Sequence, residues 1–171
     1  MLSLIIGGSA SGKSAYAEAL VSRLDGKPIY LATMEPYGEE AQTRIERHRA
    51  QRRDRGFETL ECPADLASLT LPPQANVLLE DLGNLLANEM FSPTGGGAER
   101  AMQGLEALRR SCAHLTIVSN EVFSGGDRYE GETLRYLWEL ARLNRQLAAE
   151  ADLVVELVCG LPNLLKGELP T

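Results

Sequence analysis

Positive charge is what this chain of 171 residues lacks overall: 17 Lys and Arg stand against 24 Asp and Glu, a formal net charge of −7. Wide nucleic-acid binding neutralises many phosphates with a basic surface, so that class of partner is excluded, whereas a small anionic ligand needs only a local basic patch. No apolar run approaches the ~20 residues of a membrane-spanning helix. The amino terminus has no basic region followed by a long apolar stretch and a cleavage site. The expectation is a soluble cytoplasmic protein with no membrane span. Cysteine is scarce: Cys62, Cys112 and Cys159 are odd in number and far apart. They have neither the paired spacing of a metal site nor the density of a secreted disulfide framework, and are expected to be reduced, largely buried thiols.

What is present is a 44% hydrophobic fraction, enough for a sizeable core in one domain spanning residues 1–171. No internal repeat or domain boundary is visible. Apolar, β-branched runs recur at 2–6, 28–33, 57–61, 77–80, 115–119 and 153–158, mostly separated by helix-length segments. That alternation predicts an α/β fold with a largely parallel sheet and helices on both faces, since parallel neighbours need crossover connections. Helices are expected near 12–24, 39–55, 84–91, 98–112 and 131–149, with loops at 92–97 and 123–131. In the last helix Leu134, Leu137, Trp138, Ala141 and Ala148 mark an apolar face, and packing is the expected role of Trp138. Ligands should gather at the carboxyl ends of the strands.

The most informative stretch is Gly7-Gly8-Ser9-Ala10-Ser11-Gly12-Lys13-Ser14, a full G-x-x-x-x-G-K-[ST] phosphate loop. It follows a strand-like run and precedes a segment with Tyr16, Ala19, Leu20 and Leu24 at helical spacing. The glycines let successive backbone N–H groups point inward around a phosphate, and the helix N-terminus adds partial positive charge. Lys13 is expected to reach the β/γ-phosphates and Ser14 to ligate Mg²⁺. The motif predicts a nucleoside triphosphate site without naming the reaction. After the apolar run 77–79 come Glu80 and Asp81, where a carboxylate at a strand end can orient Mg²⁺. Glu80 is favoured for the metal. Asp81 is left open, because it can equally cap the next helix. Glu61 also ends a strand-like run on the same expected edge.

One basic island interrupts the acidic chain: Arg44, Arg47, Arg49, Arg52, Arg53 and Arg55 against Glu46 and Asp54, a net +4 within residues 44–55. On a helix, Arg44, His48 and Arg52 share a face at i, i+4 and i+8. Guanidiniums in that arrangement suit bidentate phosphate contacts, and a neutral imidazole between them can attack an α-phosphorus to form a phosphoramidate. Spacing alone does not separate this from a solvated basic helix with an incidental histidine. His114, just before a strand-like run, has no such company and is expected to be structural.

With these residues in hand, nearly the whole chain resembles the bifunctional adenosylcobinamide kinase and adenosylcobinamide-phosphate guanylyltransferase family. The likeness rests on GGSASGKS with Ala17-Glu18, on Tyr30-Leu31-Ala32-Thr33, and on Arg44-Ile45 with His48-Arg49 and Arg52. It continues through Phe57 with Glu61, Leu78-Leu79-Glu80 leading to Asn88, and Ser119-Asn120-Glu121-Val122, then Asn144 with Ala148 and Gly160-Leu161-Pro162. The Arg-Ile-x-x-His-Arg-x-x-Arg element discriminates, since generic P-loop kinases have no such histidine. The resemblance implies a RecA-like P-loop NTPase fold, a trimer, and nucleotide contacts from Ala32, Thr33, Arg44, Arg49, Arg52 and Glu61. It further implies two reactions in cobalamin biosynthesis. Adenosylcobinamide is phosphorylated by a nucleoside triphosphate, GTP or ATP. GMP is then passed from GTP through a guanylyl group on His48 to adenosylcobinamide phosphate, giving adenosylcobinamide-GDP.

The chain departs from the family pattern after Val122, where Phe123-Ser124-Gly125-Gly126-Asp127-Arg128 replaces a Gly-containing run. Tyr136-Leu137-Trp138 stands for a usual Phe-Arg-Asp, and Asp81 for a frequent Cys. The nucleotide motifs are intact and the acceptor side is altered, the mark either of a divergent member with an altered cobinamide pocket or of a protein retaining one of the two activities. The loop 123–128 is therefore expected to govern the corrinoid acceptor. Two other functions fit the phosphate loop: a single-activity small-molecule kinase in which His48 is a phosphate contact, and a slow nucleotide-dependent regulatory or binding protein.

Overall fold

The computed structural model describes residues 1–35, 56–72, 74–123 and 128–169. The expected helix at 39–55, with Arg44, His48, Arg49 and Arg52, lies outside the described residues, as does 124–127 of the divergent loop. Among the described residues, seven strands form one sheet: β1 (Leu2–Gly7), β2 (Lys27–Ala32), β3 (Glu58–Glu61), β4 (Ala75–Glu80), β5 (His114–Asn120), β6 (Leu153–Val158) and β7 (Leu161–Lys166). Their order is β3-β2-β4-β5-β1-β6-β7. All neighbours are parallel except β6 and β7. The phosphate-loop strand β1 thus sits inside the sheet with β5 between it and β4, the RecA-like arrangement.

Residues alternate across each inner strand because successive side chains point to opposite faces. Leu4, Ile29, Leu31, Val77, Leu79, Leu115, Ile117 and Val154 join one buried cluster. Ile5, Tyr30, Leu78, Val118, Leu153 and Val155 join the other. Helix α1 (Lys13–Val21) covers the second face with Ala17, Leu20 and Val21. Helices α2 (Leu82–Phe91), α3 (Gly97–Ser111) and α4 (Gly131–Glu150) cover the first. Helix α3 carries Glu99 in its first turn and Arg109 and Arg110 in its last, each sign complementing the helix dipole.

Glu89 on α2, only 1% exposed, holds the α2–α3 corner. Its carboxylate accepts from Asp65 N at 2.8 Å, Gly96 N at 2.9 Å and Arg100 Nε at 2.8 Å. Burial would raise its pKa, but these donors outweigh it and hold the carboxyl below its ordinary value.

Two expectations are corrected. Trp138 is 72% exposed and Leu134 is exposed with it; α4 instead buries Leu140, Leu143 and Leu147. The apolar stripe was therefore misplaced around the helix. The thiols are not uniformly buried: Cys62 is buried, Cys112 half-buried and Cys159 exposed. Cys159 has φ 51° and Gly160 φ 81°, the two positive angles of a tight hairpin turn. That turn makes β7 (Leu161–Lys166), a strand that the apolar runs of the sequence did not include and that carries Pro162 on the sheet edge.

Candidate active site

The phosphate loop begins where β1 ends. A Cβ on Gly7 would lie 2.6 Å from Ser11 Oγ and 2.7 Å from Leu157 O, so only glycine fits the closely packed strand end. Gly12 caps α1 with φ 93°, a left-handed turn that sends the chain directly into the helix. Ser11 N donates to Gly8 O at 3.3 Å, and Tyr16 N to Gly12 O at 3.0 Å. Two neighbouring segments brace the loop: Glu121 N donates to Gly7 O at 3.0 Å, and Gly160 N from the β6–β7 turn donates to Ser11 O at 2.9 Å. Ser9, Ala10 and Gly12 face outward, and Gly8 is half-buried.

Lys13 is 8% exposed and its ammonium donates to Gly8 O at 2.9 Å, folded over the loop. Ser14 Oγ donates to Glu80 Oε1 at 2.5 Å. The expected pairing of the loop with the carboxylate after β4 is therefore direct, across 66 residues of sequence. Burial raises the Glu80 pKa to about 7; the Ser14 hydroxyl opposes this, Asp81 adds to it and Lys13 opposes it. Glu80 Oε2 and Ser11 Oγ are buried without a hydrogen-bond partner. A buried acceptor beside the Ser14 hydroxyl suits a hard divalent cation, and a buried hydroxyl inside the loop suits a phosphate oxygen.

Asp81 caps α2, accepting from Asn84 N at 2.7 Å through Oδ1. Its Oδ2 lies 3.5 Å from Asn120 Nδ2 at the end of β5. Burial raises the Asp81 pKa, against the Asn84 amide and the Lys13 charge. Thr33 is fully buried: its hydroxyl donates to Asp81 O at 2.8 Å, its N–H to Glu80 O at 3.1 Å, and its carbonyl accepts from Asn88 Nδ2 at 2.8 Å. The side chain thus supports the 80–81 corner from behind. Ala32 is half-buried at the end of β2, beside exposed Glu61 at the end of β3. His114 starts β5 at the opposite end of the sheet, and burial holds its pKa down.

Sequence reasoning by spacing missed the polar junction behind this corner. Tyr136 OH on α4 donates to Gly83 O at 3.2 Å, and its ring lies 6.3 Å from Phe91. Burial, then Asp81, pushes the Tyr136 pKa up to about 12. Ser119 Oγ donates to Asn144 Oδ1 at 2.7 Å, and Asn144 Nδ2 to Asn120 O at 3.4 Å. A Cβ on Gly83 would lie 2.9 Å from Tyr136 OH, 3.2 Å from Asp81 Oδ1 and 3.4 Å from Asn120 Nδ2. The available signal was a glycine directly ahead of the helix expected at 84–91, which in the structure falls in the first turn of α2.

The family described as cobinamide kinase / cobinamide phosphate guanyltransferase matches residues 3–165. The bifunctional adenosylcobalamin biosynthesis protein CobU of Salmonella typhimurium is 32% identical over 179 residues, covering 94% of this chain and 97% of that one. The bifunctional adenosylcobalamin biosynthesis protein CobP of Pseudomonas aeruginosa is 36% identical over 176 residues, covering 98% and 99%. The crystal structure of flagellar accessory protein FlaH from Methanocaldococcus jannaschii is similar with a TM-score of 0.53 at 10% identity, over 98% of this chain and 78% of that one, a likeness of fold alone.

Proposed function

The chain belongs to the cobinamide kinase / cobinamide phosphate guanyltransferase family, a bifunctional kinase and nucleotidyltransferase of cobalamin biosynthesis, and we propose that both reactions use the carboxyl edge of its one catalytic domain. The observation that carries this reading is the meeting of Lys13, Ser14 and Glu80 at the phosphate loop. GTP or ATP seats its phosphates on the backbone N–H groups of residues 8–14. Lys13 turns from Gly8 O to the β/γ-phosphates. Ser14 and Glu80 would hold Mg²⁺, which would supply charge neutralisation at the phosphates.

In the kinase reaction the hydroxyl of adenosylcobinamide attacks the γ-phosphorus. The new O–P bond forms as the bond to the β-phosphate breaks, and the nucleoside diphosphate leaves with the hydroxyl proton released. In the second reaction an imidazole nitrogen of His48 attacks the α-phosphorus of GTP and pyrophosphate departs. A phosphate oxygen of adenosylcobinamide phosphate then attacks the guanylyl phosphorus, giving adenosylcobinamide-GDP and free His48. Arg44, Arg49 and Arg52 neutralise the phosphates, and Ala32 and Glu61 line the nucleotide edge. The protein works in the cytoplasm as a homotrimer. Exposed Leu161, Leu164 and Leu165 on the two-sided edge strand β7, with Trp138, support burial between copies.

The test is incubation of the full chain with α-labelled GTP and Mg²⁺, followed by mass mapping and acid treatment. A label on His48 that acid releases supports the reading, as does His48→Ala losing guanylyl transfer while still phosphorylating adenosylcobinamide. Label elsewhere, or a His48→Ala variant with both activities, overturns the role of His48.

A further inference from the structure

Asp81 and Asn120 form a half-made contact that the nucleotide reading does not use. Asp81 directly follows β4 and Asn120 ends the adjacent strand β5, and their facing atoms Oδ2 and Nδ2 stand 3.5 Å apart, at the far limit of a hydrogen bond. Each group is otherwise fixed. Oδ1 of Asp81 is held by Asn84 N at 2.7 Å, and its main-chain carbonyl accepts from the Thr33 hydroxyl at 2.8 Å. Asn120 is held through its carbonyl by Asn144 Nδ2 at 3.4 Å, and Asn144 in turn takes the Ser119 hydroxyl at 2.7 Å. The Asp81 carboxylate is pinned by its cap, so closing the pair falls to a turn of the Asn120 amide. Both residues are only partly buried, and Lys13 lies near enough to act on the charge of Asp81.

We infer that Asp81 Oδ2 and Asn120 Nδ2 are the seat of the acceptor's attacking hydroxyl in the kinase reaction. An alcohol is the group that completes this contact from both sides, because its O–H donates to a carboxylate while its oxygen accepts from an amide N–H. A carboxylate or phosphate at the same place would meet the Asp81 charge, so the pair selects a neutral hydroxyl against an anionic end group. The Lys13 ammonium, assigned to the β/γ-phosphates, acts on the same Asp81 charge. As the hydroxyl oxygen bonds to the γ-phosphorus and the β-phosphate oxygen departs, the hydroxyl, oriented by Asp81 Oδ2 and Asn120 Nδ2, releases its proton to water. Gly83 is part of the same design, since a Cβ there would crowd Asp81 Oδ1 at 3.2 Å and Asn120 Nδ2 at 3.4 Å.

This inference rests on the kinase reading above, and the test separates the two. The full-length protein, Asp81→Asn, Asn120→Ala and the double variant are assayed for phosphorylation of adenosylcobinamide, with nucleotide Kd measured in parallel by titration. Asparagine keeps the helix cap, and Asn120→Ala removes only the amide, so a fold defect in one variant leaves the other to decide. The expected result is a loss of at least tenfold in kcat/KM for the corrinoid in Asp81→Asn and a smaller loss in Asn120→Ala. Nucleotide Kd changes less than threefold, and the double variant loses less than the product of the single losses, because both groups hold one hydroxyl. Corrinoid kcat/KM within threefold of the parent in both variants overturns the inference. So does a loss that only tracks weakened nucleotide binding, or multiplicative losses in the double variant. A parent protein that phosphorylates no corrinoid instead overturns the kinase reading itself.

Discussion

The phosphate loop and the corner after β4 meet at one hydrogen bond between Ser14 and Glu80, yet they are built in opposite ways. The loop is continuous in sequence and its shape is set by the backbone: Gly7, where no Cβ fits, and a left-handed turn at Gly12. The corner is assembled from side chains of β4, β5, α2 and α4, with Glu80 and Asp81 partly buried, and at the far end of α2 the fully buried Glu89 holds the α2–α3 corner in the same manner. A backbone cradle tolerates change in its surroundings and fails mainly in function. A side-chain assembly with buried carboxylates carries fold stability and function together, because each carboxylate removed leaves stranded donors.

The contrast is broken most forcefully at Glu89. Replacing it by Ala strands two backbone amides and the Arg100 guanidinium, and should cost about 3–5 kcal/mol of folding stability in urea melts. A loss under ~1 kcal/mol would show that the corner is not held this way. Lys13→Ala is the counterpart on the loop. It should weaken nucleotide binding at least tenfold, a loss of ~1.5–3 kcal/mol by titration, with little change in the melt. Unchanged affinity would overturn the phosphate-loop assignment.

Glu80 sharpens the comparison through pH. Its folded pKa, raised to about 7 from 4.5, means that the folded state holds more protons than the unfolded chain between those values. The contribution of Glu80 to the stability of nucleotide-free protein is therefore greatest below about pH 4.5 and falls as pH rises to about 7. The decline should be on the order of 2 kcal/mol, and Glu80→Gln should remove it. Melts at intervals from pH 4.5 to 8 that decline equally in parent and variant would contradict this. The smallest effect belongs to Trp138. Being 72% exposed, its replacement by Ser should change monomer stability by under ~0.5 kcal/mol. The same change should shift the oligomer toward smaller species in sedimentation, and an unaltered distribution would remove Trp138 from the proposed contact between copies.

Much of the fold was legible because it is local. Six of the seven strands show as apolar, β-branched runs, and the loop declares itself through glycines at fixed spacing before Lys13-Ser14. The helices α2 to α4 fall within two residues of their expected limits. Where the reading failed, the pattern was ambiguous on its own terms. On α4, both the Leu134 and Trp138 face and the Leu140, Leu143 and Leu147 face are apolar, and only contact with the sheet tells which is buried. Strand β7 contains Pro162 and exists because it pairs with β6 through a turn at Cys159 and Gly160.

By itself, then, the sequence determined a phosphate loop in a parallel α/β sheet, and its resemblance named the chemistry. The tertiary structure decided which distant residues share the site. Ser14, Glu80, Asp81, Asn120 and Gly160 meet because the order β4-β5-β1-β6 places the carboxyl ends of these strands side by side. Strand order is a property of how crossovers pack against the sheet, and no spacing along the chain records it. The same packing set the half-closed pair of Asp81 and Asn120, whose separation follows from the fixed cap on one side and the buried Asn144 on the other.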